Sequence, residues 1–145
     1  MARSFIVASK PGSTAFVASV NAALAALVNP TIAGTFFNVD ERQRRNQRAY
    51  SCVISYDTGG AALATPFQLS VLEAPSLAAL NTALVALIAA HPTYFWAPSI
   101  FIFKYTGPRD PRYIALTLFN ATAGASANYT SASAGGGGGG GGGPS

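Results

Sequence analysis

The sequence predicts an α+β fold: a two-layer sandwich made of two consecutive βαββ halves, with both helices on one face of the sheet or sheets. Three observations carry this. The run Asn21–Val28 (N-A-A-L-A-A-L-V) returns sixty positions later as Asn81–Ile88 (N-T-A-L-V-A-L-I), each run soon followed by a proline, Pro30 or Pro92. At a spacing of sixty-four, Arg48 matches Arg112, Thr58 matches Thr122, Gly60 matches Gly124 and Ala61 matches Ala125. Around these echoes, apolar residues at helical spacing are flanked by β-branched and aromatic runs in the same order. Self-similarity at a fixed period is the mark of an internal repeat. Repeat 1 spans about residues 4–62 and repeat 2 about 66–125, together one domain over 1–125. Residues 126–145 form a Ser/Ala/Gly-rich tail.

In chain order, Ser4–Ser9 is β-branched and apolar and reads as a strand ended by Lys10-Pro11-Gly12. Ser13 or Thr14 can cap the following helix. Its buried stripe is Phe16, Val20, Leu24, Leu27 and Val28, and Asn29-Pro30 ends it. Thr31–Val39 and Ala49–Asp57 are strands joined by the polar connection Asp40–Arg48. In the second of these, Tyr50, Cys52, Ile54 and Tyr56 alternate with Ser51, Val53 and Ser55, so one face is the more apolar. The second half begins with the strand Phe67–Leu72. Ala74-Pro75-Ser76 leads into a helix whose stripe is Leu77, Leu80, Leu84, Leu87 and Ile88, ended by His91-Pro92. An insertion near residues 92–98 accounts for the growth in spacing. Ser99–Tyr105 is a strand apolar on both faces, and Tyr113–Asn120 is the last strand. A helix between two strands is long enough to make them parallel neighbours through a right-handed crossover, the third strand returning by a hairpin. The tail ends in nine glycines, Gly135–Gly143, before Pro-Ser. Glycine loses the most entropy on ordering, so this reads as a flexible tail, or as one laid along a neighbour where only glycine fits.

Composition narrows function by exclusion. Half the residues are hydrophobic and 10% are charged, well below the usual quarter. A surface so poor in charge points to partial cover by a partner. The single cysteine, Cys52, forbids an intrachain disulfide and reads as a buried small apolar residue. One Cys and one His exclude the usual zinc ligand sets. His91 sits at a helix C-terminus, where an imidazole satisfies free carbonyls, and no nucleophile motif frames it. The acids Asp40, Glu41, Asp57, Glu73 and Asp110 fall mostly at turns. The glycine run lacks the Lys-Ser/Thr and helix of a phosphate loop. Met1–Ser9 lacks the apolar segment and cleavage site of a secretory signal, and no run approaches a membrane span. The sequons at Asn120 and Asn128 read as chance. The expectation is a non-enzymatic protein with no catalytic residues, no cofactor, no metal and no membrane contact.

Two constellations remain. Arg42, Arg44, Arg45 and Arg48 lie in the first hairpin connection, and Arg109 and Arg112 in the matching turn of the second half. Arginine suits phosphate contact with nucleic acid or salt links to a neighbouring subunit, and also blunts a sheet edge. Tyr50, Tyr105 and Tyr113 lie close in sequence, as stacking on single strands requires. Tyr94, Phe95, Trp96, Phe101 and Phe103 supply more large apolar surface than one small core needs, and read as a subunit interface.

The βαββ-βαββ order resembles the tautomerase superfamily that includes macrophage migration inhibitory factor. That family places a catalytic proline directly after the initiator Met; here the position is Ala2, which argues against the activity. The resemblance implies oligomers joined by sheet edges. The abundance of Ala, Gly, Ser and Thr, the surplus apolar strand and the glycine tail are similar in style to virion proteins of bacteriophages. The first expectation is therefore a self-assembling structural protein, a coat, decoration or tail component, with itself and other structural subunits as partners. It would lie in a virion, or otherwise in a cytoplasm. The second is a nucleic-acid-binding module using the arginine hairpins, and the least favoured is a tautomerase-like enzyme.

Overall fold

A computed structural model of the chain describes residues 3–42, 47–106, 111–122 and 124–130. It is an α+β fold of two helices and two antiparallel sheets. The elements are β1 (Arg3–Pro11), α1 (Ser13–Ala25), β2 (Thr31–Arg42), β3 (Gln47–Asp57), β4 (Gln68–Ala74), α2 (Leu77–Ala90), β5 (Phe95–Trp96), β6 (Phe101–Thr106) and β7 (Pro111–Asn120). A short 3₁₀ turn, Ala125–Asn128, follows.

Sheet A has the order β1-β3-β2, and sheet B has β4-β7 with β5 and β6 both on the far side of β7. The strands flanking each helix are therefore not neighbours, as the connection lengths suggested. In both halves the returning strand, β3 or β7, slots between them and pairs antiparallel to each. An antiparallel hairpin closes over a few residues, so β3 pairs with β2 and offers its other edge to β1. In the second half, residues 97–100 interrupt what is one strand in the first. Its two pieces, β5 and β6, share β7 as partner, and β5 was not legible as a strand.

Residues facing inward from sheet A are Ile6, Ile32, Phe37, Tyr50, Cys52 and Ile54, all buried. A bulge between Ile32 and Gly34 resets the alternation, so that Ile32 and Phe37 both point inward despite their odd separation. Sheet B answers with Leu69, Leu116, Leu118, Phe101 and Phe103. The sheets meet along β2 and β6, where Phe37 and Phe101 pack edge to face with centroids 5.3 Å apart. Between β1 and β4 they splay apart, and α1 fills the wedge. Its Phe16, Val20 and Leu24 are fully buried, and Phe16 stacks on Tyr50 at 5.6 Å. Asn21 Oδ1 accepts the outward-facing backbone N–H of Leu69 on β4 at 2.7 Å, which satisfies a donor on the sheet's edge strand.

The second helix lies elsewhere. α2 covers the opposite face of sheet B, with Leu80 seated against Ala74 and Ala115. The helices therefore do not share one face, and the order of layers is sheet A, α1, sheet B, α2. Of the expected α2 stripe only Leu80 is buried; Leu84 and Leu87 are half-buried, and Leu77 and Ile88 are exposed. The caps differ too. Ser76 Oγ accepts from Ala79 N–H at 3.1 Å, whereas α1 starts from Gly12 with φ 93° and no side-chain cap, not from Ser13 or Thr14.

The chain stays packed beyond residue 125, into what read as tail. Ala125, Asn128 and Tyr129 are buried, and Tyr129 lies parallel beside Ile32 on the edge of sheet A. Asn128 Nδ2 donates to the carbonyls of Pro30 (3.0 Å) and Ala61 (2.8 Å), joining three chain segments. Gly60 is required at this junction: a Cβ there would stand 2.9 Å from both Asn29 O and Asn128 Nδ2. Residues 131–145, the glycine run included, lie outside the described residues.

Candidate subunit interface

Among the described residues, nothing forms a layer on the outer face of sheet A. Alternation sends Phe5 and Val7 of β1, Phe36 of β2 and Val53 of β3 outward, and Phe5 and Val7 are 61% and 74% exposed. Register makes them contiguous. Val53 pairs with Val7 on one side and Phe36 on the other, and Phe5 stands in the next row, opposite Ser55. Around them are Ser9, Ser51, Ser55, Asn38 and Gly34, and among the described residues charge stands at the ends of the face, Asp40 beyond Asn38 at one and the Arg3–Asp57 ion pair at the other. A contiguous apolar face without charge is what monomeric proteins seldom leave to water. The sequence reading missed these four residues. The signal was present in S-F-I-V-A-S, a strand apolar on both faces, as it was noticed for Ser99–Tyr105.

The far end of the stack is also apolar. α2 holds no charged residue among its fourteen, and Leu77 and Val85 are more than half exposed.

The residues expected at an interface are divided by the fold. Phe101 and Phe103 are buried, taken up by the contact between the two sheets. Phe95 turns the same way, edge-on to Phe67 at 6.3 Å and tilted against Tyr129 at 5.5 Å. Tyr94 and Trp96 lie on the α2 side of sheet B, in a stack that runs His91–Tyr94 (4.4 Å), Tyr94–Phe119 (5.7 Å) and Trp96–Phe119 (4.9 Å). The three residues 94–96 are all half-buried. Trp96 Nε1 is buried with no hydrogen-bond partner among the described residues. Beside the stack is a pocket of about 260 Å³ lined by Gln68, Ser70, Leu87 and these rings, smaller than usual ligand sites.

Arg42, Arg48 and Arg112 stand on strand ends that lie on one side of the molecule. Arg42 pairs with Gln47 and Glu41 with Arg48 at the ends of β2 and β3, and Arg112 stands half-buried in β7 opposite Tyr105. Arg44, Arg45 and Arg109 lie outside the described residues. Tyr50 Oη donates to Glu73 Oε2 at 3.2 Å, and Glu73 is paired with Ile114. The strand ends bordering residues 43–46 and 107–110 are thereby brought to the same side. Tyr50 is fully buried, so it offers no stacking surface, while Lys104 Nζ sits 5.8 Å from the Tyr113 ring. The length of β7, ten residues or roughly 30 Å, separates this end from the Trp96–Phe119 stack.

Little in the described residues serves covalent chemistry. Burial pushes the Cys52 thiol up to about 11, away from a reactive thiolate. His91 closes α2 and lies flat on Tyr94. Among the described residues no group of three or more His, Cys, Asp or Glu is placed to hold a metal ion, and no helix is long and apolar enough to cross a membrane. Asn120 and Asn128, the two sequon asparagines, are fully buried in hydrogen bonds and inaccessible to a glycosylating enzyme in the folded chain. No family model, curated protein or solved structure matches this chain.

Proposed function

We propose that the protein is a non-enzymatic, self-assembling structural subunit, of the kind that builds a bacteriophage coat, decoration or tail. The observation that carries the reading is the uncovered face of sheet A, with Phe5, Val7, Phe36 and Val53 contiguous and no charge among them. Burial of such a face is favourable at about 25 cal/mol per Å² of apolar surface, and the described residues supply no layer to cover it. The low charge of the whole sequence fits a protein whose surface is shared with neighbours. The common strand order of the two halves supports an origin by tandem duplication. A virion is the setting this reading gives it; without one, a cytoplasm.

Size-exclusion chromatography with light scattering tests it. The purified chain is expected to run as an assembly several times the 14.8 kDa of one copy. A single-copy mass at millimolar concentration overturns it.

A second reading has its own observation. The strand ends that carry Arg42, Arg48 and Arg112 lie at the same end of the molecule, and positive charge gathered on one side is what phosphate binding requires. Titration with a single-stranded oligonucleotide at two salt concentrations separates the readings. Contact with several phosphates gives a steep loss of affinity with salt, which replacing Arg44, Arg45 and Arg48 by Ala flattens.

A further inference from the structure

The order of layers says what covers the bare face. Inside one chain, sheet B is packed on one side by α1, the helix of the other half, and on the other side by α2, its own helix. Sheet A has its own helix, α1, on one side and, among the described residues, nothing on the other. The stack of described residues thus ends in a bare sheet at one end and a bare helix at the other, and it already contains one instance of a sheet, sheet B, covered by the helix of the other half.

The contact inside the chain has a polar anchor. Asn21 of α1 accepts the Leu69 backbone N–H of the edge strand β4. The equivalent residue of the echoed run is Asn81 of α2, which is exposed and makes no hydrogen bond among the described residues. On the same line of α2 stand Leu77, Val85 and Ile88, the exposed apolar residues of that helix. In α1 the residue matching Leu77 is Val17, half-buried against the core, whereas α1 ends at Ala25 and Val28, which matches Ile88, lies beyond it and is exposed. Phe5 and Val7 on edge strand β1 stand toward the bare side as Leu69 and Val71 on edge strand β4 stand toward α1.

We infer that α2 of one copy docks through Leu77, Asn81, Val85 and Ile88 on the bare face of sheet A of a second copy, with Asn81 receiving an edge N–H of that copy's β1. The inference rests on the self-assembly proposed above and specifies its contact. The two surfaces match in polarity, since neither carries charge across its middle. They match in size. Three strands over Phe5–Ser9 cover roughly 14 by 16 Å, and a fourteen-residue helix is about 21 Å long and 10 Å wide. Each footprint is a little over 200 Å², far less than the roughly 800 Å² per partner of a standard interface, so one contact alone is weak. The contact is heterologous, and every copy offers both surfaces. It therefore propagates into a ring or an open filament rather than stopping at a dimer.

Sedimentation velocity over a concentration series of the full chain tests this with Val7→Lys, Val85→Lys and Asn81→Ala. All three positions are exposed, and circular dichroism with thermal unfolding checks that each variant keeps the fold. The wild type is expected to rise past dimer with concentration. Val7→Lys and Val85→Lys are each expected to stay single, and their equimolar mixture to form dimers and nothing larger, because one intact contact remains per pair. Asn81→Ala is expected to raise the concentration needed for assembly about tenfold. Loss of assembly with Val7→Lys but not Val85→Lys would show a sheet-on-sheet pairing and overturn the inference. So would a wild type that assembles while no variant changes it, which leaves the proposed function standing. A wild type that stays single overturns both.

Discussion

Asn128→Ala should cost the protein about 2–4 kcal/mol. The side chain is 1% exposed, and its amide nitrogen donates to Pro30 O and Ala61 O at 3.0 and 2.8 Å. The first of these carbonyls precedes β2 and the second lies beyond β3, so one amide pins the last packed segment to two chain segments at the same end of sheet A. Truncation removes two bonds worth about 1 kcal/mol each and leaves two carbonyls short of a buried partner, at a further cost of the order of 1 kcal/mol. For a domain of this size the loss lowers the melting temperature by roughly 8–15 °C. Asn128→Asp should be worse than Ala, because it points a carboxylate at two carbonyl oxygens. Differential scanning calorimetry of both variants, at a concentration where the wild type's assembly state is unchanged, reads the effect. A shift under 2 °C for Asn128→Ala, or an Asp variant more stable than the Ala variant, would refute the packing of residues 125–130 against sheet A.

Other outcomes follow from single side chains. Leu80→Ala, which empties the fully buried anchor of α2, should cost about 2–5 kcal/mol in denaturant unfolding, whereas Leu77→Ala on the exposed side should fall within about 0.5 kcal/mol. Cys52 should react with a disulfide reagent only on the timescale of unfolding at pH 8, since its thiol is buried and held up near 11; a fast stoichiometric reaction in native buffer would contradict that placement. The Arg3 hydrogen bond holds the Asp57 carboxyl below its ordinary range, so the pair's contribution is present above the unfolded carboxylate pKa and disappears as pH falls through the folded one. Asp57→Asn should remove that acid-side dependence from the unfolding midpoint, and because the pair is exposed the change should be small and salt-sensitive.

Several elements were legible because local chemistry suffices for them. The helical spacing of Phe16, Val20, Leu24, Leu27 and Val28 announced a buried face; the first three are buried, but α1 ends at Ala25, Leu27 is half-buried and Val28 is exposed. The alternation of Tyr50, Cys52 and Ile54 announced which side of β3 turns inward. Ser76 before a leucine-rich run announced a helix start, and its hydroxyl caps α2. The same logic misjudged α2, whose stripe has the composition of a buried face although Leu80 alone is fully buried and Leu77 and Ile88 are exposed. Periodicity reports which residues lie on one side of a helix and not whether anything is packed there. It also misjudged Phe101 and Phe103, whose run is apolar on both faces; in the structure one face meets sheet A, and the other, with Ile102, turns toward α2.

The sequence by itself determined the identity and order of the elements apart from β5 and the 3₁₀ turn, the near-absence of charge, and the echo between Asn21–Val28 and Asn81–Ile88, because each depends on neighbours in the chain. Tertiary structure alone decided that β3 and β7 enter between the strands that flank each helix, that α1 is enclosed while α2 is not, and that Asn21 has an edge strand to bind while Asn81 faces outward. Those outcomes depend on how two sheets divide a limited amount of buried surface between them. That is a competition among distant residues, and no local window of sequence records who wins it.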